Sequence, residues 1–266
     1  MAEFTAKDVQ ALRKQTGAGM MDAKRALEEN DGDFDAAAKW LREKGLSSSA
    51  KRSDRANDQG AVAVGGDSEV MAIAEIKCET DFVAKSEQFT DLVQDLADLV
   101  AAKGEDEAKA DVAERVDDLK VTLKENIEVG EIVRFEKSGG DLMDSYLHIQ
   151  EGRGVNAVLV ELAGGTQDLA HDLALHVAFK RPPYLTRDLV PDAEIAEERA
   201  LLEAETRNEG KPEQAIEKIV EGKLQGRFFA DRVLLDQKFV RDESQTIATL
   251  LGDATVVRFA QVVIGA

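Results

Sequence analysis

The sequence predicts an α+β fold: an N-terminal three-helix module, two similarly built halves that each start with an antiparallel β-hairpin, and a helical hairpin inserted in the second half. Three observations carry this. Short stretches of helical apolar spacing separated by breaks fill residues 5–45. Apolar hairpin patterns recur at 60–78 and 142–163, each followed by helical spacing and later by a further strand. Residues 192–225 carry a heavily charged pattern with a narrow apolar stripe, turned at Asn208-Glu209-Gly210-Lys211-Pro212. A chain of 266 residues is long enough to bury such a core without staples.

In order, Thr5 and Asp8 have the spacing of a capping box, Val9 and Leu12 mark the first apolar face, and Gly17-Ala18-Gly19 breaks it. A second helix follows over 21–30. Asp33 can cap a third, with Phe34, Ala37, Ala38 and Leu41 on one face and Gly45 as its stop. Residues 46–59 are polar and aperiodic, and read as a linker. Thr16-Gly17-Ala18-Gly19 lacks the spacing and the Lys-Ser or Lys-Thr of a phosphate-binding loop, so a tight turn is expected there. Met20 and Met21 beside it suit either an adaptable contact surface or ordinary core, and spacing does not choose between them.

The first half reads as strands at 60–64 and 70–78 around Gly65-Gly66-Asp67-Ser68, a helix from Ser86 with Phe89, Leu92, Val93, Leu96 and Val100 inward, a helix over 107–124 and a strand over 131–137. The second half repeats the opening. Strands at 142–149 and 155–163 flank Gln150-Glu151-Gly152-Arg153-Gly154, a helix starts near Gln167, and a strand over 254–264 closes the chain. Residues 70–76 echo 155–162, and Val133-Arg134-Phe135 echoes Val257-Arg258-Phe259, although short apolar strands imitate one another readily.

The formal net charge is −19, from 34 Lys and Arg against 53 Asp and Glu, which opposes direct nucleic-acid binding. The nearest basic run, Lys51-Arg52-Ser53-Asp54-Arg55, is diluted by Ser and acids and reads as solvated linker. No apolar run approaches membrane-spanning length, residues 1–5 lack the blocks of a signal peptide, and the single cysteine, Cys78, reads as a buried, inert thiol. A cytoplasmic protein without a membrane partner is expected. His171 and His176 lie five apart, on different faces of a helix, so no zinc pair is expected; neither calcium-loop spacing nor a nucleophile elbow is present.

Residues 76–85, Ile-Lys-Cys-Glu-Thr-Asp-Phe-Val-Ala-Lys, join an apolar strand to a helix that Thr80 can cap. Phe82 then either tucks under the helix as a staple, with Asp81 favouring its positive end, or is presented outward beside the carboxylate. Cys78 to Lys85, together with Leu12-Arg13-Lys14-Gln15-Thr16-Gly17-Ala18-Gly19-Met20-Met21-Asp22, resembles bacterial elongation factor Ts, the nucleotide exchange factor of elongation factor Tu. The likeness continues through Glu125-Asn126-Ile127, Ser145-Tyr146-Leu147-His148 and the stretch from Gly210 to Leu224, and so spans essentially the whole chain.

The resemblance implies a ubiquitin-associated-like module over 1–45, a linker over 46–59, core subdomains over 60–140 and 141–266, and a protruding helical hairpin over about 192–225. Each core subdomain would be a small antiparallel sheet with helices on one side. It further implies that Thr80, Asp81, Phe82 and Val83 intrude beside the partner's magnesium site and promote GDP release, with Arg13, Met20, Met21 and His148 as further contacts. No cofactor is implied. Two departures limit the likeness: Leu123-Lys124 stands where the family often has Ile-Gly, and the sequence runs to Val263-Ile264-Gly265-Ala266 without the helical arm that many members carry. Contacts made by either are expected to be altered or missing. An acidic adaptor that binds without changing its partner is the alternative, and an enzyme with scattered catalytic groups is a third class.

Overall fold

The computed structural model describes residues 4–50 and 52–266, with the backbone alone for 46–50. Lys51 of the basic run and Met1-Ala2-Glu3 lie outside the described residues. The fold is mixed α+β, with helices first and small antiparallel sheets after them.

Helices α1 (Ala6–Thr16), α2 (Met20–Glu29) and α3 (Phe34–Ala50) enclose a core of their own from Val9, Leu12, Ala23, Ala26, Leu27, Ala37 and Leu41. Thr5 and Asp8 form the capping box, and Gly17 ends α1 in the left-handed conformation at φ 67°. Asp33 Oδ1 accepts from Ala36 N, as a cap of α3 should. Gly45 does not stop α3, and the expected linker from 46 is helical as far as Ala50. The glycine serves close packing instead: a Cβ there would lie 2.5 Å from Val121 Cγ1.

The first half consists of β1 (Gln59–Gly66), β2 (Val70–Cys78), the single turn α4 (Asp81–Ala84), α5 (Glu87–Lys103), α6 (Glu105–Leu123) and β3 (Glu128–Glu136). The second opens with β4 (Leu142–Gln150), β5 (Arg153–Ala163) and α7 (Gln167–Lys180). Helices α8 (Asp192–Asn208) and α9 (Glu213–Lys223) form the expected hairpin, whose seam of Leu202, Ile216 and Val220 packs with Val190, Phe228, Phe229 and Val233. A π-helical turn (Leu224–Phe229), α10 (Ala230–Arg232), β6 (Lys238–Phe239), β7 (Asp242–Thr246) and α11 (Ile247–Leu251) lead to the closing strand β8 (Thr255–Val263).

Two three-stranded antiparallel sheets result, ordered β1-β2-β3 and β4-β5-β8. In each, the second strand of the hairpin is central. Period-two alternation then sorts its side chains. On β2, Ala72, Ala74 and Ile76 face α5 and α6, while Ile73 faces the other sheet; on β5, Val158, Val160 and Leu162 face α7, while Ala157 and Leu159 face Ile73 and Val62. Both central strands are covered on both faces, which is why they read as continuous apolar runs.

The echo between the halves is partly structural. Glu75 and Glu161 are both buried and both sit at a register shift of the central strand. Arg134 and Arg258 diverge: Arg134 donates to the carbonyls of Val100 and Ala101 at the end of α5, whereas Arg258 pairs with Glu161.

Candidate functional site: an exposed ring on a clamped turn

Strand β2 delivers the chain to α4 with Cys78 fully buried, and burial pushes its thiol up to about 12. Thr80 then caps α4, its Oγ1 accepting from Val83 N at 3.4 Å. Two residues on, Phe82 is 83 % exposed. The staple reading is therefore excluded in favour of outward presentation. Asp81 lies one residue before it and accepts a 2.6 Å hydrogen bond from Lys85 Nζ, which holds its carboxyl below the usual range. Lys85 also pairs with Glu151 at the tip of the β4–β5 hairpin. Val83 is partly buried and packs on the core beneath α4.

The turn is clamped from the α6–β3 connection. Glu125 Oε2 accepts from the backbone N–H groups of Glu79 (3.0 Å) and Thr80 (3.1 Å), and its Oε1 accepts from Thr80 Oγ1 (2.5 Å). Reciprocally, Glu79 Oε1 accepts from Asn126 N at 2.7 Å. The buried Asn126 side chain donates to the carbonyls of Ser53 (3.1 Å) and Arg55 (2.9 Å). Of the basic run, Arg52 donates to the Lys120 carbonyl, and Arg55 pairs with Glu79.

Thr80, Asp81 and Phe82 line one groove together with Gln59, Glu79, Lys85, Gln150, Glu151 and Arg153. The other expected contacts lie elsewhere. Arg13 is exposed on α1, and Met20 (43 % exposed) and Met21 (75 %) occupy the first turn of α2, so the core reading fails for the methionines. His148 is exposed on β4, its Nδ1 3.3 Å from the Tyr146 hydroxyl, and lines a separate groove with Tyr146 and Phe179. Sequence reasoning gave no role to Lys85, Glu151 or the side chains of Glu79 and Glu125. Apart from the Lys85 to Asp81 pair, which is one helical turn long, their partners are distant in sequence, and only membership of the motifs at 78–85 and 125–127 pointed toward Glu79, Lys85 and Glu125.

His176 is buried with Nε2 2.9 Å from Gln237 Oε1 and Nδ1 accepting from Val240 N; burial lowers its pKa and keeps it neutral. Its pairing is that of a core histidine. Among the described residues no group of three or more His, Cys, Asp or Glu is placed to hold a metal ion, and no helix is long and apolar enough to cross a membrane.

The family model described as Elongation factor TS matches residues 79–266. The chain is 42 % identical over 278 aligned residues to "Elongation factor Ts" of Acidothermus cellulolyticus, covering 100 % of this chain and 99 % of the relative. Proteins of the same name from Thermobifida fusca and Mycobacterium tuberculosis are each 41 % identical, again over 100 % of this chain and 99 % of theirs. With the match reaching from the helical N-terminus to β8, the chain belongs to the elongation factor Ts family.

Proposed function

We propose that the protein binds elongation factor Tu carrying GDP and uses α4 to disturb its magnesium and phosphate-binding site, so that GDP leaves and GTP can bind. Family members are nucleotide exchange factors, and this chain is a translation factor rather than an enzyme. The observation that carries the detailed reading is the fully presented Phe82 ring on a turn whose start is hydrogen-bonded from outside. A GTPase holds GDP through several contacts acting together, and removing one weakens the rest. Phe82 supplies apolar burial as a wedge, and Asp81 redirects polar contacts around the magnesium ligands. By linkage, a factor that prefers the nucleotide-free partner must itself be weakened by nucleotide to the same degree.

In this reading residues 1–45 form a ubiquitin-associated-like module, with α3 running on to Ala50, and grip the partner through Arg13, Met20 and Met21. Residues 60–140 and 141–266 are related core subdomains, His148 makes a second contact, and the hairpin over about 192–225 projects. A cytoplasmic setting without membrane or direct nucleic-acid partners fits the charge of −19.

The test is release of fluorescent GDP from purified elongation factor Tu with magnesium present. The wild-type protein should accelerate it. Phe82→Ala and Asp81→Ala should each lower the maximal rate by about tenfold or more while binding partly persists. Binding without acceleration by the wild type would make the chain an adaptor; wild-type rates for both variants would remove α4 from the mechanism.

A further inference from the structure

We propose that Glu125 is a positioning residue for nucleotide exchange: it fixes the entry to α4 so that Phe82 is already aimed before the partner arrives. This deepens, and rests on, the reading of α4 as the exchange element. Four residues make one helical turn, and one turn does not hold itself, because nucleation fixes several dihedrals for a single hydrogen bond. Phe82 is exposed and so contributes no packing in the free protein. Val83 and Ala84 anchor the turn from beneath, and the direction of the ring then depends on how residues 79 and 80 enter it.

Glu125 supplies that hold. Helix α6 ends at Lys124 in the left-handed conformation (φ 60°, ψ 31°), where the family's frequent glycine would sit without strain. The chain then passes beside β2, and one carboxylate accepts both N–H groups and the hydroxyl of the segment entering α4. The hydroxyl link is directional. A carboxylate only accepts, so Thr80 must point its proton at Glu125 and keep a lone pair for Val83 N, which is the cap of α4. Asn126 extends the clamp to the carbonyls of Ser53 and Arg55, just beyond α3. The exchange turn and the end of the N-terminal helices are thereby tied to one two-residue post.

Preorganisation of this kind raises the rate within the complex more than it raises affinity, because the grip lies elsewhere. The experiment uses the full chain with Glu125→Ala and Glu125→Gln, and measures amide hydrogen exchange at residues 79, 80 and 83 in the free protein beside maximal GDP release and half-saturating concentration. For Glu125→Ala, protection at these amides and the maximal rate should each fall about tenfold, while half-saturation moves less than about threefold. Glu125→Gln should fall between, since one amide oxygen replaces two acceptors. Lost protection with an unchanged maximal rate would overturn the proposal, as would unchanged protection. If Glu125→Ala fails to fold, Thr80→Val and Thr80→Ser decide: the valine, which lacks the hydroxyl, should show the deficit and the serine should recover it, and equal rates would overturn the proposal. Failure of the underlying reading is distinguishable, because Phe82→Ala would then release GDP at the wild-type rate.

Discussion

Glu161 has no exposed surface, yet it is ionised and fully engaged. Burial pushes its carboxyl upward, but the backbone N–H groups of Ser138, Gly139 and Gly140 on Oε1 and the Arg258 guanidinium on Oε2 outweigh that and bring it from 4.5 to about 2. The Arg258 guanidinium also lies 4.2 Å from the centre of the Phe135 ring, so this cluster secures the crossing from the first half to the second. Glu161→Gln should cost about 2 kcal/mol at neutral pH, measured by urea unfolding. The pH dependence has a definite sign. Because the folded value lies below the unfolded one, the stabilisation is complete above about 4.5 and is lost as pH falls through about 2. The difference between wild type and variant should therefore shrink across that window; a constant difference would mean that packing, not charge, sets the cost.

At the scale of elements, the packing of α3 on α6 turns on Gly45, where a Cβ would approach Val121 Cγ1 to 2.5 Å and Cγ2 to 2.9 Å. Gly45→Ala gains about 1 kcal/mol of helix propensity but overpacks the crossing by about 1–3 kcal/mol, so a net loss of stability is expected. Adding Val121→Ala should recover that loss, and thermal melts of the two single variants and the double would expose the non-additivity; strictly additive effects would rule out the contact as the cause. The same residue shows where the sequence misled. A glycine after an apolar helical stripe signals a stop, but a glycine also permits close approach, and only the partner helix tells the two apart. Elsewhere the local signals were sufficient: the Thr5 and Thr80 caps and the period-two sorting of β2 and β5 are properties of neighbouring residues. The stretch from Gln225 to Asp253 was not legible, because a π-helical turn, a two-residue strand and a five-residue helix have no room to show a period. The outward Phe82 was visible as a possibility; its clamp was not, since the three helices α4, α5 and α6 separate Thr80 from Glu125 along the chain.

At the scale of the molecule, the described residues hold cores that differ in what joins them. The two sheets pack back to back through Val62, Ile73, Phe135, Met143, Ala157, Leu159 and Val262, a shared apolar layer that makes the halves one cooperative unit. The N-terminal helices keep their own core and meet the body through the Gly45 and Val121 contact, half-exposed ion pairs of Arg42 with Glu114 and Asp118, and, just beyond α3, the polar bonds of Arg52 to Lys120 and of Asn126 to Ser53 and Arg55. Exposed pairs of this kind contribute about 1 kcal/mol or less each. The helices should therefore unfold before the body. The chain's single tryptophan, Trp40, is partly buried against the N-terminal core and reports on it alone, whereas far-ultraviolet circular dichroism reports on the whole. Leu159 is fully buried in the layer between the sheets, so Leu159→Ala should leave a cavity costing about 2–5 kcal/mol. In urea, the Trp40 fluorescence transition should come first and stay in place in this variant, while the later dichroism transition moves to lower urea. Coincident transitions that shift together would instead mean that the weak polar contacts at α3 suffice to make helices and body fold as one.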